Sequence, residues 1–110
     1  MFGFSLSPKE VSVKEAFEKI GADGHILLDV RTPGEVREVC VAGSKNISLE
    51  LLENALEDLR EYTSIHVLCR SGSRSAYATQ ILHSNGITQA ENVAGGMIAW
   101  QQENLPTTRG

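Results

Sequence analysis

Three features of the sequence predict an α/β fold. Candidate strands and helices alternate along the chain. Two segments, Ile26–Val30 and Ile65–Leu68, read as mostly apolar strands of the kind buried on both faces of a parallel sheet, each interrupted by one polar residue, Asp29 or His66. The second run ends in a polar loop opened by Cys69 and followed by a helix. Ligands of open parallel sheets bind beyond the carboxyl ends of the strands, and Cys69 lies at such an end.

The elements follow in order. Residues 1–9, which include Pro8, read as a loose lead-in, and Glu10-Val11 as a short edge strand. Ser12 and Glu15 have capping-box spacing, and Val13, Ala16, Phe17 and Ile20 form one apolar helical face that stops at Gly21. After the first apolar run, Thr32-Pro33-Gly34-Glu35 is a second helix start, with Thr32 as N-cap, Pro33 in the first turn and Glu35 closing the box. Val36, Val39 and Cys40 are expected to share the buried face of that helix, with Glu35 pairing to Arg31. Gly43 to Ile47 is a turn and a short strand. Ser48 is expected to cap a helix whose apolar stripe is Leu51, Leu52, Ala55, Leu56 and Leu59, with Glu50, Glu53, Glu57, Asp58 and Glu61 as its solvated face. The helix after the cysteine loop buries Ala78, Ile81 and Leu82 and stops at Gly86. Asn92-Val93 is a last short strand. Gly95-Gly96 allows a close backbone approach, and the final helix, with Trp100 as a core anchor, ends before Pro106.

Composition narrows the function. The 110 residues carry a net charge of −4 and scattered basic residues, which disfavours a nucleic-acid partner. Hydrophobic content of 41% and charged content of 22% fit a single globular domain over residues 1–110. No apolar run is long enough to span a membrane, and the start, Met1-Phe2-Gly3-Phe4-Ser5, lacks the basic and apolar regions of a secretory signal. Two cysteines make no disulfide framework, so a cytoplasmic setting is expected; a mature exported form would look the same. The cysteines and histidines show no zinc-type spacing, and neither a metal nor another cofactor is expected.

The chemistry centres on Cys69-Arg70-Ser71-Gly72-Ser73-Arg74-Ser75. A strand–loop–helix turn presents backbone N–H groups and the positive end of a helix to its occupant. With Arg70 and Arg74 these favour thiolate over thiol. A histidine-activated thiol of the protease kind fails on geometry. His66 is three residues before Cys69 on one strand, His25 precedes its own strand, and His83 lies far along the helix. Sulfur transfer through a persulfide and phosphoryl transfer through a thiophosphate then compete. For Ser71, Ser73 and Ser75, capping of the helix competes with substrate contact. Cys40 could resolve a persulfide, but its place on an apolar face favours packing.

The sequence resembles the single-domain rhodanese family of thiosulfate:cyanide-type sulfurtransferases. The resemblance rests on Leu28-Asp29-Val30-Arg31 with Pro33 and Glu35, Gly43 to Ile47, Val67 to Ser75, Gly95-Gly96 with Trp100, and Leu105-Pro106. It implies a central, mostly parallel five-stranded sheet with helices on both faces. It also implies that Cys69 carries the transferred sulfur and that the loop at Arg70, Ser71, Gly72, Ser73, Arg74 and Ser75 binds it. A small anionic sulfur donor and a small-molecule or protein thiol acceptor follow as partners. Phosphatases of the same fold have a loop one residue longer, with the arginine six positions after the cysteine; here Arg74 is five positions on and Ser75 follows. Non-catalytic interaction or regulatory modules of the family typically lack the cysteine, whereas a persulfide carrier in a sulfur relay would keep it. The chain departs from the family at Val39-Cys40, where a Gly-His pair is common, and at Asn104, where glycine is common.

Overall fold

The computed structural model describes residues 9–110; most of the expected lead-in, residues 1–8, lies outside the described residues. Five strands form one parallel sheet: β1 Glu10–Val11, β2 His25–Asp29, β3 Lys45–Asn46, β4 Ser64–Leu68 and β5 Ala90–Val93. Their spatial order is β1-β5-β4-β2-β3, so the two long apolar strands lie side by side near the middle. Among the described residues five α-helices flank the sheet: α1 Val13–Lys19, α2 Pro33–Glu38, α3 Leu56–Leu59, α4 Ser73–Ser84 and α5 Gly96–Gln102.

Alternation along the strands divides the apolar residues between two cores. Ile26, Leu28, Ile65 and Val67 face Leu52, Leu59, Ala78 and Leu82 of the side covered by α3 and α4. Leu27, Leu68 and Val93 face Val13, Ala16, Met97 and Trp100 of α1 and α5. Trp100 is fully buried, donates from Nε1 to the Pro106 carbonyl at 2.9 Å and meets Phe17 edge-on.

Most local expectations stand. Thr32 and Glu35 form a complete capping box with Pro33 in the first turn. At α1 only half of the box forms: Ser12 Oγ accepts the Glu15 N–H, while the Glu15 carboxylate takes the Ser12 hydroxyl. Asn104 has a φ of +57°. That left-handed conformation explains why glycine suits the position, and asparagine is among the residues that tolerate it.

Two segments differ from expectation. The helix after Ser48 begins as a 3-10 turn over Leu49–Ala55, and Ser48 makes no side-chain cap. Three residues per turn align Leu49, Leu52 and Ala55 and swing Leu51 outward, where it is 52% exposed. The expected stripe through Leu51 is therefore wrong, although the acidic set is solvated as expected. The second difference follows α2, none of whose residues is fully buried. The chain leaves the helix at Val39, whose carbonyl accepts from Arg31 Nη2 at 2.7 Å. Cys40 then forms an antiparallel bridge with Thr108. Cys40 is buried, but not on a helical face.

A histidine pair joins β2 and β4, with His66 buried in the middle of β4 and His25 half-buried at the start of β2. His66, on β4, is 3% exposed, and its Nε2 lies 3.0 Å from His25 Nδ1. Its Nδ1 is 3.2 Å from Glu91 Oε1, without the alignment of a hydrogen bond. Burial pushes the His66 imidazole below its ordinary value, Glu91 opposes that and His25 adds to it. The unfolded chain therefore takes up this proton near pH 6.5 while the folded chain resists it. Stability should be full above that pH and decline as the pH falls through it. Urea midpoints measured from pH 7.5 to 5.5 should show this slope in the parent and lose it in His66→Gln.

Candidate active site

The site stands at the carboxyl ends of β2 and β4, where β4 gives way to the loop that begins at Cys69 and leads into α4. Two elements fix this loop. Below it, the Leu68 carbonyl accepts the Val30 N–H at 2.9 Å, which extends the sheet to its edge. Beside it, the first turn of α5 donates Met97 N–H to the Cys69 carbonyl at 2.9 Å and Ile98 N–H to the Arg70 carbonyl at 3.0 Å. This contact requires Gly96: a Cβ there would strike the carbonyl oxygens of Cys69 and Arg70, and its φ is +57°. The expected close approach at Gly95-Gly96 is thus made against the cysteine loop itself.

Inside the loop, Gly72 N–H donates to Cys69 Sγ at 3.1 Å. Ser75 Oγ lies 3.2 Å from the same sulfur. Burial pushes the Cys69 thiol up, but the Ser75 hydroxyl and the N–H groups of Ser75, Gly72 and Ser71 outweigh it, and the net direction is down. The N–H groups, and the Ser75 hydroxyl when its one proton is turned to the sulfur rather than to a second acceptor, are what favour thiolate. The histidine rings are engaged elsewhere: His25 and His66 with each other, and His83 with the Ala90 carbonyl at 2.7 Å.

The other loop residues separate. Arg70, Ser71 and Ser73 are exposed, and Ser75 is fully buried. Arg74 sits in the first turn of α4 and makes a two-pronged ion pair with Glu35, at 2.6 Å and 2.8 Å. This clasp joins α2 to α4 across the mouth of the loop. It holds the Glu35 carboxyl down to about 2 and raises the Arg74 guanidinium. Arg74 also lines a cavity of about 280 Å³ with Val30, Thr32, Ser48, Leu49 and Glu50. On the other side, Glu35 lines a smaller cleft with Arg70, Met97 and Ile98.

The expected Arg31–Glu35 pairing does not form. Arg31 turns inward to Asp29, donating from Nε at 3.0 Å and Nη2 at 2.7 Å, and its backbone N–H also donates to that carboxylate at 3.0 Å. Asn46 ties the same turn from outside, donating to the carbonyls of Asp29 and Arg31. Geometry explains the exchange of partners. Arg31, buried at the end of β2, reaches its neighbour two residues back, while Glu35 in the first turn of α2 faces α4.

Asn92 and Glu10 extend the hydrogen-bond chain behind Ser75, and the sequence does not single them out as site residues. Asn92, buried on β5, accepts from Ser75 Oγ at its Oδ1 at 2.5 Å, and its Nδ2 donates to Glu10 Oε2 at 3.3 Å. The available signal was a polar side chain in a strand whose neighbour Val93 is core. Among the described residues no cluster of three His, Cys, Asp or Glu is arranged to hold a metal, and no helix is long and apolar enough to cross a membrane.

Comparison with known proteins agrees with this architecture. A family model described as a rhodanese-like domain matches residues 12–103. The chloroplastic thiosulfate sulfurtransferase 16 of Arabidopsis thaliana is 34% identical over 115 aligned positions, covering 94% of this chain and 95% of that protein. Adenylyltransferase and sulfurtransferase MOCS3-1 of Zea mays is 34% identical over 99 residues, 82% of this chain. The chain spans only 21% of that relative's length. Among solved structures, a rhodanese-related protein from Thermoplasma volcanium superposes with a TM-score of 0.79 at 30% identity, covering 91% of this chain and 97% of the other.

Proposed function

The chain belongs to the rhodanese-like domain family, and on that premise we propose that it is a sulfurtransferase carrying sulfane sulfur on Cys69 from an anionic donor such as thiosulfate to a thiophilic acceptor. The observation that carries the proposal is the setting of the sulfur. Cys69 Sγ ends a buried strand, meets the Gly72 N–H and the Ser75 hydroxyl, and has no histidine base.

In the first half-reaction the Cys69 thiolate attacks the outer sulfur of thiosulfate. A sulfur–sulfur bond forms to Cys69, the bond to the sulfonate sulfur breaks, and sulfite leaves with its electron pair. In the second, an acceptor nucleophile takes the outer sulfur and returns the thiolate: cyanide, giving thiocyanate, in an assay, or a small or protein thiol in the cell. Both halves begin and end with an anion on sulfur, so the loop needs donors rather than a general base. Cys69 is 1% exposed. A donor must bring a small terminal atom down into the loop, which favours a sulfane sulfur over a phosphate ester.

Within this reading the two arginines divide. Arg74 is already partnered by Glu35, so its role is to hold the clasp over the loop and add positive charge beside the sulfur. Arg70 is exposed and lines the cleft beside α5, and none of the ion pairs among the described residues uses it. Of the two loop arginines, Arg70 is therefore the one placed to meet a dianionic donor. A charge-assisted hydrogen bond contributes about 1.5–3 kcal/mol, so Arg70→Ala should lower kcat/KM for thiosulfate about ten- to a hundredfold.

Steady-state thiocyanate formation from thiosulfate and cyanide tests the function. Turnover is expected in the parent, with a raised requirement for thiosulfate in Arg70→Ala. Cys69-dependent hydrolysis of an aryl phosphate, with no thiocyanate formed, would replace sulfur transfer by phosphoryl transfer.

A further inference from the structure

Once Cys69 is a thiolate, the contacts behind it hold one proton fewer than they need. Ser75 Oγ lies 3.2 Å from Cys69 Sγ and 2.5 Å from Asn92 Oδ1, and all three residues are buried. A hydroxyl has a single proton to donate, and the oxygen of an amide has none. The donation of Asn92 Nδ2 to Glu10 Oε2 at 3.3 Å fixes which end of the amide faces Ser75. In this arrangement the Ser75 proton points to Asn92, and the sulfur faces a lone pair on the hydroxyl, a setting that suits the thiol S–H. A thiolate needs the reverse. Ser75 must then turn its proton to the sulfur, leaving two oxygens at hydrogen-bond distance with no proton between them. Only a turned-over amide relieves that, and turning it over gives up the bond to Glu10.

We propose that Asn92, oriented by Glu10, is a positioning residue for Cys69: it sets the direction of the Ser75 hydroxyl and so governs how readily the thiol releases its proton to solvent. Asn92 acts through Ser75 and Glu10 acts through Asn92; neither is given a direct contact with the sulfur. The inference deepens the reading of Cys69 as the sulfur carrier and rests on it for its bearing on turnover.

Other charges near the sulfur are accounted for separately. The α2–α4 side carries the Glu35–Arg74 pair, the end of β2 carries the Asp29–Arg31 pair, and Arg70 lies on the loop. Residues 96–102 of α5 include no charged side chain. None of these groups belongs to the Ser75–Asn92–Glu10 chain, so substitutions in that chain leave them in place.

The test is the pH profile of alkylation by iodoacetamide, read by mass on the Cys69 peptide so that Cys40 does not contribute. Asn92→Leu removes the competing acceptor at similar size, and Glu10→Gln, at an exposed position, lets the amide face either way. Each should lower the midpoint by about one pH unit, a tenfold gain in thiolate below the midpoint. Ser75→Ala should raise it, and adding Asn92→Leu to Ser75→Ala should change nothing further, because the effect passes through the hydroxyl. An unmoved midpoint in Asn92→Leu, or an equal shift with and without Ser75, overturns the proposal. A shift in Asn92→Leu but none in Glu10→Gln overturns the part given to Glu10. If the midpoints move as expected while thiosulfate never adds sulfur to Cys69, the positioning stands and the sulfurtransferase reading fails.

Discussion

Cys69→Ser should reduce thiosulfate:cyanide turnover to the uncatalysed rate while leaving the fold intact. Serine keeps the size and the hydrogen-bonding positions, so Gly72 and Ser75 still have an oxygen to meet. It loses the two properties that the chemistry uses. A hydroxyl stays protonated in a site whose donors hold a thiol only below its ordinary value, and an oxygen cannot carry a sulfane sulfur as a persulfide. No neighbouring histidine stands ready to activate it, since His25, His66 and His83 bond elsewhere. Circular dichroism and urea unfolding close to the parent, with no thiocyanate formed, is the expected pair of results. Residual turnover near the parent level would mean that the sulfur is carried elsewhere.

Asp29→Ala should be the most destabilising single substitution considered, at about 3–5 kcal/mol, because it leaves an uncompensated guanidinium in the interior. Arg31 is 3% exposed at its side chain and Asp29 is 0% exposed. Without the carboxylate, Arg31 keeps one partner, the Val39 carbonyl. The damage should also reach the site, because the turn after β2 leads directly into Thr32 and Glu35 and so sets the clasp on Arg74. The urea midpoint should fall with its slope unchanged. Asp29→Leu combined with Arg31→Met should recover much of the loss, since an apolar pair removes the stranded charge. A cost below about 1 kcal/mol for Asp29→Ala would mean that water reaches Arg31 and that the pair is not buried in solution.

The parts of the molecule that were legible in the sequence are those specified by neighbours in the chain. The apolar runs of β2 and β4, the capping box at Thr32 and Glu35, and the loop from Cys69 to Ser75 each declare themselves within a few residues. The 3-10 segment did not, because Leu51, Leu52, Ala55, Leu56 and Leu59 fit a period of 3.6 as written. A tertiary bond decides its start: Leu49 N–H is held by the Val30 carbonyl at 3.1 Å, and Leu51 N–H then closes on Ser48 at 2.8 Å. Partner choice among charges was equally hidden. Glu35 has Arg31 four residues before it and Arg74 thirty-nine residues after it; nearness in the chain favours the first, and only the tertiary placement of Glu35 opposite the first turn of α4 selects the second. Cys40 was misplaced for a related reason, since its bridge to Thr108 lies 68 positions away in the chain.

The most direct measurement is the mass of the Cys69 peptide from protein treated with thiosulfate and then chased with cyanide. The expected result is a gain of one sulfur atom on that peptide, removed by cyanide as thiocyanate appears in equal amount, and absent from Cys69→Ser. A Cys69 peptide that stays at its unmodified mass, under conditions in which thiosulfate is consumed, contradicts a persulfide at Cys69.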